Sequence, residues 1–145
     1  MTWTVYLSGE IHTDWRDRIR QGASERGLDI RFTSAVTDHA ASDAAGDLLE
    51  PTSEGYWRDH KSSGVNAMRT RTLIAQCDLA VIRFGDKYRQ WNAAFDAGQC
   101  AALAKPYISL HDEALVHALK EVDQAANAWA QTPEQVVDLL AYITG

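Results

Sequence analysis

The sequence has few of the residues that build cross-links and basic surfaces. Only two of its 145 residues are cysteines, Cys77 and Cys100, and neither has a second cysteine or a histidine at metal-ligand spacing. We therefore predict two buried, reduced thiols and no metal site. The 14 basic residues are outnumbered by 20 acidic ones, and the net charge of -6 argues against binding to long DNA or RNA. A small-molecule partner fits this composition better.

Long apolar runs are also missing. No segment approaches the roughly 20 apolar residues that cross a bilayer, and residues 1–5 begin as a strand without the charged and apolar regions of a secretion signal. These absences predict no membrane partner and a cytoplasmic location. The length of 145 residues matches one ordinary domain, so we expect a single domain over residues 1–145.

Four familiar signatures are absent as well. The chain contains no GxGxxG, GxxxxGK(S/T), HExxH or GxSxG pattern. Their absence argues against a dinucleotide fold of the usual fingerprint, a P-loop, a zinc protease and an α/β-hydrolase. No cofactor is expected.

What the sequence does contain is an alternation of strand-like and helix-like segments. Apolar runs that favour strands lie at residues 3–7, 29–35, 79–82, 107–110 and 127–130, and helical patterns at 14–26, 65–77, 91–104, 113–122 and 133–143. The polar residues 37–64 show no sustained period, so we predict a long loop there, such as a lid. The alternation predicts a doubly wound parallel sheet of about five strands in a three-layer α/β/α, flavodoxin- or Rossmann-like architecture.

In such sheets, ligands bind beyond the carboxyl ends of the strands, near the point where the strand order reverses. This rule selects polar and aromatic residues from two stretches of the chain as candidates. One stretch follows the first strand and supplies Ser8, Gly9, Glu10 and His12, and the other follows the strand at 79–84 and supplies Asp86, Trp91, Asn92 and Asp96.

Asp96 is the most informative of these residues. It lies within Ala93–Gly98, a small and apolar context in which an acid is costly unless it is paired or used. The functional interpretation is a reactive carboxylate, and the structural alternative is a partner of the helix dipole. Tyr6, near the end of the first strand, either orients such a carboxylate through its hydroxyl or packs as a core tyrosine.

Four further residues have two interpretations each. Glu10 and His12 resemble an acid–base pair, but their spacing is also ordinary for a turn that enters a helix. Trp91 and Asn92 suit stacking on a base and hydrogen bonding to it, or else a packing tryptophan and a helix N-cap.

Two motifs resemble those of nucleoside 2-deoxyribosyltransferases. Residues 6–9, Y-L-S-G, are similar to the Y-L-A-G opening of that family, and residues 94–106 are similar to its A-F-E-x-G-x-A-x-A-L-G-K-P helix, without a gap. A closer resemblance, over nearly the whole chain, is to the YtoQ family. It is carried by V-Y-L-S-G-E-I-H at 5–12, by Trp15-Arg16 and by F-G-D-K-Y-R-Q-W-N at 84–92.

The resemblance implies a carboxylate that attacks the anomeric carbon of a nucleoside, expels the base and passes the sugar to another base or to water. In this retaining double displacement, Asp96 takes the position of the family's nucleophilic glutamate and Tyr6 that of the tyrosine that orients it. The resemblance further implies a homo-oligomer in which a neighbour closes the pocket. The residues expected to bind the substrate are Ser8, Gly9, Glu10, Asp86, Trp91 and Asn92.

The chain departs from the family pattern at several places, and the alanine and glycine near Lys105 are only partly kept. Aspartate at position 96 is one methylene shorter than glutamate, Glu10 stands where the family has proline, and Gln90-Trp91-Asn92 replaces D-x-G-T. A displacement of ~1 Å at a reacting group costs up to ~100-fold in rate. Two hypotheses therefore stand: an enzyme that transfers or hydrolyses the N-glycosidic bond of a nucleoside or nucleotide, and a non-catalytic nucleotide-binding or sensing module on the same fold.

Overall fold

The computed structural model describes residues 1–145 and contains one five-stranded sheet. The strands are β1 (Trp3–Gly9), β2 (Ile30–Ser34), β3 (Leu79–Arg83), β4 (Tyr107–Leu110) and β5 (Ala128–Ala130). All neighbouring pairs are parallel, and the strand order is β2-β1-β3-β4-β5. The predicted doubly wound parallel sheet is confirmed.

Six α-helices connect or follow the strands. They are α1 (Trp15–Glu25), α2 (His39–Asp43), α3 (Gly55–Gln76), α4 (Trp91–Ala102), α5 (Lys120–Ala125) and α6 (Pro133–Thr144). The last helix begins with a capping box formed by Thr132 and Gln135, followed by Pro133 in its first turn. None of the six is long and apolar enough to span a bilayer.

Two hydrophobic clusters cover the two faces of the sheet. On one face, α1 and α6 pack over Val5 and Leu7, and on the other face α3, α4 and α5 pack over Tyr6. Successive side chains of a strand point to opposite faces, so Ser8 lies on the same face as Tyr6. Both cysteines, Cys77 and Cys100, are buried in the second cluster as free thiols.

The predicted loop at 37–64 is wrong. This stretch contains α2, a 3₁₀ helix at Ala45–Leu48 and the first ten residues of α3. These elements are held by polar contacts that leave no apolar period in the sequence: Ser62 Oγ donates to the carbonyl of Asp43 at 2.6 Å and accepts from Gly46 N at 3.0 Å. A Cβ at position 46 would lie 2.6 Å from Lys61 Cβ, so glycine permits this close packing.

The strand order reverses between β1 and β3, whose carboxyl ends lie side by side. Gly9 pairs with Arg83 and has φ +112°, a conformation that favours glycine. A Cβ at this position would meet Arg83 O at 2.1 Å. Glycine at position 9 therefore allows β1 and β3 to end in direct backbone contact, and the residues that follow both strands converge there.

Candidate active site

The central contact of the site joins β1 to α4. Ser8 Oγ donates a hydrogen bond to Asp96 Oδ2 at 2.6 Å, and Ser8 is only 1% exposed. The other carboxylate oxygen, Oδ1, accepts from Gln99 Nε2 at 3.3 Å, one helical turn further along α4. The structure thus brings together two residues that are 88 positions apart in the chain.

Burial sets the protonation behaviour of Asp96. Removal of the carboxyl group from water raises its pKa, and the hydrogen bond from Ser8 offsets part of this effect, so the pKa remains above its usual range. A carboxylate in this setting is poorly solvated and keeps only two side-chain donors. Such an oxygen is more available for attack on carbon than one in bulk water.

Tyr6 lies beside this acid, but its hydroxyl is buried and has no hydrogen-bond partner. Burial raises the pKa of Tyr6, and the negative charge of Asp96 raises it further. The hydrogen bond that would orient Asp96 is therefore made by Ser8 in this structure. A buried polar group without a partner costs about 1–3 kcal/mol.

Glu10 is engaged in the turn that leads into α1. Its carboxylate accepts from Thr13 N at 2.7 Å, from Thr13 Oγ1 at 2.6 Å and from His12 N. Burial favours a higher pKa for Glu10, but these hydrogen bonds outweigh it and the pKa is lowered. Gly85 makes room for this side chain, since a Cβ there would lie 2.6 Å from Glu10 Cγ. The structure thus supports the turn interpretation of Glu10.

Arg16 holds the end of β1 from the other side, a contact that the sequence analysis missed. Arg16 is only 5% exposed. Its guanidinium donates hydrogen bonds to the carbonyls of Glu10 at 2.6 Å, Gly9 at 3.1 Å and Leu7 at 3.3 Å. Burial lowers the pKa of Arg16 to about 10. The only sequence signal for this role was the Trp15-Arg16 pair within the resemblance.

The remaining sequence candidates lie on the surface around Asp96. Trp91 is 73% exposed, and Asp86 and Asn92 are also exposed. Asn92 precedes Asp96 by one helical turn and shares its helix face, whereas Trp91 does not. Gln99, which the sequence analysis also missed, follows on that face, and its position three residues after Asp96 was the available signal.

His12 and the connection between β3 and α4 form the rim of the site. The His12 ring lies 4.8 Å from the ring of Tyr88, centroid to centroid. Gly85 N donates to Gln90 Oε1 at 2.8 Å, which folds the connection back onto the start of α4. Both contacts lie beyond the carboxyl ends of the strands, where ligands bind in this architecture.

A separate groove of about 360 Å³ runs between α1 and α6 on the opposite face of the sheet. Its arginines are paired with acids, because Arg18 contacts Glu134 at 2.7 Å and Arg26 contacts Asp138 at 2.6 Å, and its remaining acid, Glu25, accepts a hydrogen bond from Gln21 at 2.8 Å. No strand end lines it. A second groove, of about 200 Å³, lies between α4 and α5. Because neither groove contains the carboxyl ends of the strands, the convergence at Asp96 is the better candidate.

The parallel sheet and the strand-end acid on α4 define a protein of the nucleoside 2-deoxyribosyltransferase-like class with a Rossmann-like fold. The family described as "Nucleoside 2-deoxyribosyltransferase YtoQ" matches residues 6–144, and the chain belongs to this YtoQ family. It is similar to the uncharacterized YtoQ protein of Bacillus subtilis (strain 168), with 36% identity over 144 residues that cover 99% of this chain and 97% of that protein.

Solved structures share the fold at low sequence identity. A conserved protein from Enterococcus faecalis V583 aligns with TM-score 0.65 and 12% identity over 99% of both chains. A 2-deoxyribosyltransferase from Bacillus psychrosaccharolyticus aligns with TM-score 0.54 and 13% identity, over 93% of this chain and 90% of that one. DNA processing protein A from Helicobacter pylori, which binds single-stranded DNA, aligns with TM-score 0.59 and 14% identity, over 99% and 82%. At these identities the likeness concerns the fold alone.

Proposed function

We propose that the protein cleaves the N-glycosidic bond of a nucleoside or nucleotide, with Asp96 as the nucleophile, and transfers the sugar to a second base or to water. The observation that carries the proposal is the half-buried Asp96 carboxylate, held by Ser8 beside the unpartnered hydroxyl of Tyr6 at the carboxyl end of β1. Membership of the YtoQ family supports the substrate class.

The reaction proceeds in two displacements at the anomeric carbon. An Asp96 carboxylate oxygen forms a bond to that carbon while the bond from the carbon to the base nitrogen breaks. The electron pair of the broken bond leaves with the base, and the base takes a proton from water. The resulting glycosyl ester is then attacked by a nitrogen of the incoming base, or by water, on the side of the carbon opposite the ester oxygen, and the attacking group gives its proton to the hydroxide left by the first step. The ester bond breaks, the carboxylate is restored, and the configuration is retained.

Substrate recognition is assigned to the surface around this acid. Trp91 presents an exposed ring for stacking on the base, and Asn92 presents an amide on the helix face of Asp96. Gly9 allows the strand ends to approach each other, Glu10 fixes the turn that follows, and Asp86 borders the site. Tyr6 supplies a hydroxyl whose missing partner becomes Asp96 or a sugar hydroxyl when the substrate is bound.

A homo-oligomer is part of the proposal. Trp91 and Phe95 are one turn apart on α4, and both expose more than half of their surface, at 73% and 59%. Large exposed aromatics are typical of surfaces that become covered in an assembly. A neighbouring copy over this helix would shield Asp96 from water during the reaction.

The second candidate function is nucleotide binding without chemistry. It is favoured by the length of the acid, because aspartate reaches one methylene less far than the family's glutamate and one of its oxygens is already engaged by Ser8. In that case the site retains a ligand but forms no product.

Chromatography of a nucleoside and nucleotide library separates the two functions. The wild-type protein is expected to release free base from at least one compound, and Asp96→Asn to lower the rate by ~10³-fold or more, because the amide is not a nucleophile. Asp17→Asn, a change of an exposed acid on α1, is the matched control and is expected to keep the wild-type rate. Unchanged release by Asp96→Asn would remove Asp96 from the nucleophile role.

A thermal-shift measurement with the same library identifies the binding alternative. A ligand at 100 times its dissociation constant stabilises the fold by about 2.7 kcal/mol. Stabilisation by a nucleotide, with no product from any compound of the library, would establish the binding module and refute the enzyme.

A further inference from the structure

We propose that Ser8 is the positioning residue of the nucleophile: its hydroxyl anchors Asp96 Oδ2, so that Oδ1 is the oxygen presented to the sugar. This inference rests on the proposed function and assigns Ser8, which the sequence analysis placed among the substrate-binding residues, a different task.

The anchor is short and fixed at both ends. The distance of 2.6 Å from Ser8 Oγ to Asp96 Oδ2 is that of a hydroxyl bonded to a charged oxygen. Ser8 lies in the central part of the sheet, because β1 is flanked by β2 and β3, and it is 1% exposed. Water therefore reaches this part-buried hydrogen bond only from the side of Asp96, and the sheet holds the serine backbone in place.

The two oxygens of the carboxylate differ as a result. Oδ1 has a donor at 3.3 Å in Gln99 Nε2, beyond the usual range of about 2.7–3.2 Å for such a bond. An oxygen whose lone pairs are less engaged forms a new bond more easily. The carboxylate is thus held by one oxygen and left available at the other, with the hydroxyl of Tyr6 close by and unpartnered.

Two departures from the family motifs meet in this one contact. Serine replaces the alanine of Y-L-A-G, and aspartate replaces the glutamate of A-F-E, and the two side chains are hydrogen-bonded to each other. An added hydroxyl on the strand therefore accompanies a shorter acid on the helix. The pair acts as one unit, and either change without the other leaves the carboxylate badly oriented.

Kinetics on the converted nucleoside test this coupling. Ser8→Ala is expected to lower kcat by ~100-fold with little change in KM, because the acid loses its orientation rather than the site its substrate contacts. Ser8→Thr keeps a hydroxyl and is expected to restore much of the rate. The double variant Ser8→Ala/Asp96→Glu is expected to be more active than Ser8→Ala alone. The loss of kcat in the double variant is compared with the losses in Ser8→Ala and in Asp96→Glu measured singly. A double loss equal to the product of the two single losses would overturn the coupling.

The matched control is Ser62→Ala. Ser62 is also a buried serine, 4% exposed, but it lies on α3, and the two hydrogen bonds of its hydroxyl join it to Asp43 and Gly46 rather than to the acid. Its loss is expected to reduce stability and to leave kcat and the pH profile unchanged. An equal loss of kcat in Ser62→Ala and Ser8→Ala would show that only stability is at stake and would overturn the proposal.

A readout without turnover separates this inference from the proposed function. Carbon NMR of protein with labelled aspartate carboxyl groups follows the titration of Asp96, whose signal is assigned from its absence in Asp96→Asn. Loss of a hydrogen bond to the ionised form raises a pKa, so the titration is expected to move to higher pH in Ser8→Ala and to stay in place in Ser62→Ala. An unchanged titration in Ser8→Ala would refute the anchor, whether or not any nucleoside is converted.

Discussion

Two serine–aspartate hydrogen bonds lie on the same face of the sheet, and they differ in what surrounds them. Ser8 donates to Asp96 at 2.6 Å near the end of β1, and Ser109 donates to Asp123 at 2.7 Å on β4. The β4 cluster also contains His111, whose Nε2 lies 2.9 Å from both oxygens of Asp123. The second partner of Asp96 is only the amide of Gln99, at 3.3 Å.

The β4 cluster is hydrogen-bonded throughout. His111 is fully buried, its Nδ1 lies 2.8 Å from the carbonyl of Asp112, and the ring of Trp129 stacks on it at 5.2 Å. Every polar side chain there has a partner, whereas the β1 cluster leaves the hydroxyl of Tyr6 without one. A fully satisfied polar network rigidifies a fold, and an incomplete one in a similar position indicates a place for a ligand.

The sharpest test of this difference is a pair of alanine substitutions. Asp123→Ala is expected to cost about 3 kcal/mol of unfolding free energy, because it strands the buried groups of His111 and Ser109. Asp96→Ala is expected to cost much less, because burial already opposes the ionised form of this acid. Urea unfolding at neutral pH measures both, and equal costs would contradict the distinction between the clusters.

A smaller change in unfolding free energy is expected at Glu10, the second acid of the candidate active site. Glu10→Gln is expected to cost about 2 kcal/mol at neutral pH, because the ionised carboxylate receives hydrogen bonds from the turn. Burial alone would raise its pKa, but the hydrogen bonds lower it. The stability that Glu10 contributes is therefore present above its unfolded pKa and is lost as pH falls through the lower, folded value.

Asp96 is expected to show the opposite sign. Its pKa is raised by burial, so its favourable contribution is present below the unfolded pKa and is lost as pH rises through the folded value. As pH rises from about 3 to about 7, Asp96→Asn should gain stability relative to wild type above the unfolded pKa of aspartate, about 4, whereas Glu10→Gln should lose stability only up to the unfolded pKa of glutamate, also about 4. Urea unfolding across this range checks both slopes, and parallel slopes would contradict the assignment of Glu10 to the turn.

The smallest expected effect on unfolding free energy is at Ala104, which lies outside both clusters and serves as a control. Ala104, just after α4, has φ 53°, a left-handed conformation that costs a non-glycine residue about 1 kcal/mol. Ala104→Gly, which restores the glycine of the family motif, is expected to raise the unfolding free energy by up to that amount and to leave both clusters unchanged. A lower midpoint in thermal unfolding would contradict this.

The sequence predicted the features that depend on local pattern. The alternation of apolar runs was sufficient for the five-stranded sheet, and residue types at the strand ends directed attention to Asp96 and Tyr6. The helices within residues 37–64 were not predicted, because they pack through Gly46 and Ser62 and so show no apolar period in the sequence.

The details of the site depended on distant contacts. Ser8 was predicted to bind substrate, and its bond to Asp96, across 88 positions, cannot be derived from either residue alone. The turn formed by Glu10 and the carbonyl contacts of Arg16 likewise depend on where backbone groups fall after folding. Residue types thus indicated where the candidate site lies, and the structure supplied the contacts between its members.

The carbonyl contacts of Arg16 have a mechanical consequence. One side chain of α1 ties three backbone carbonyls at the end of β1, those of Leu7, Gly9 and Glu10, to a helix that is itself packed on α6. The carboxyl end of β1 is therefore fixed to the layer formed by α1 and α6. Under the proposed function, we expect adaptation to substrates of different size at the short connection at residues 84–90, where a change of sequence leaves the Arg16 contacts intact.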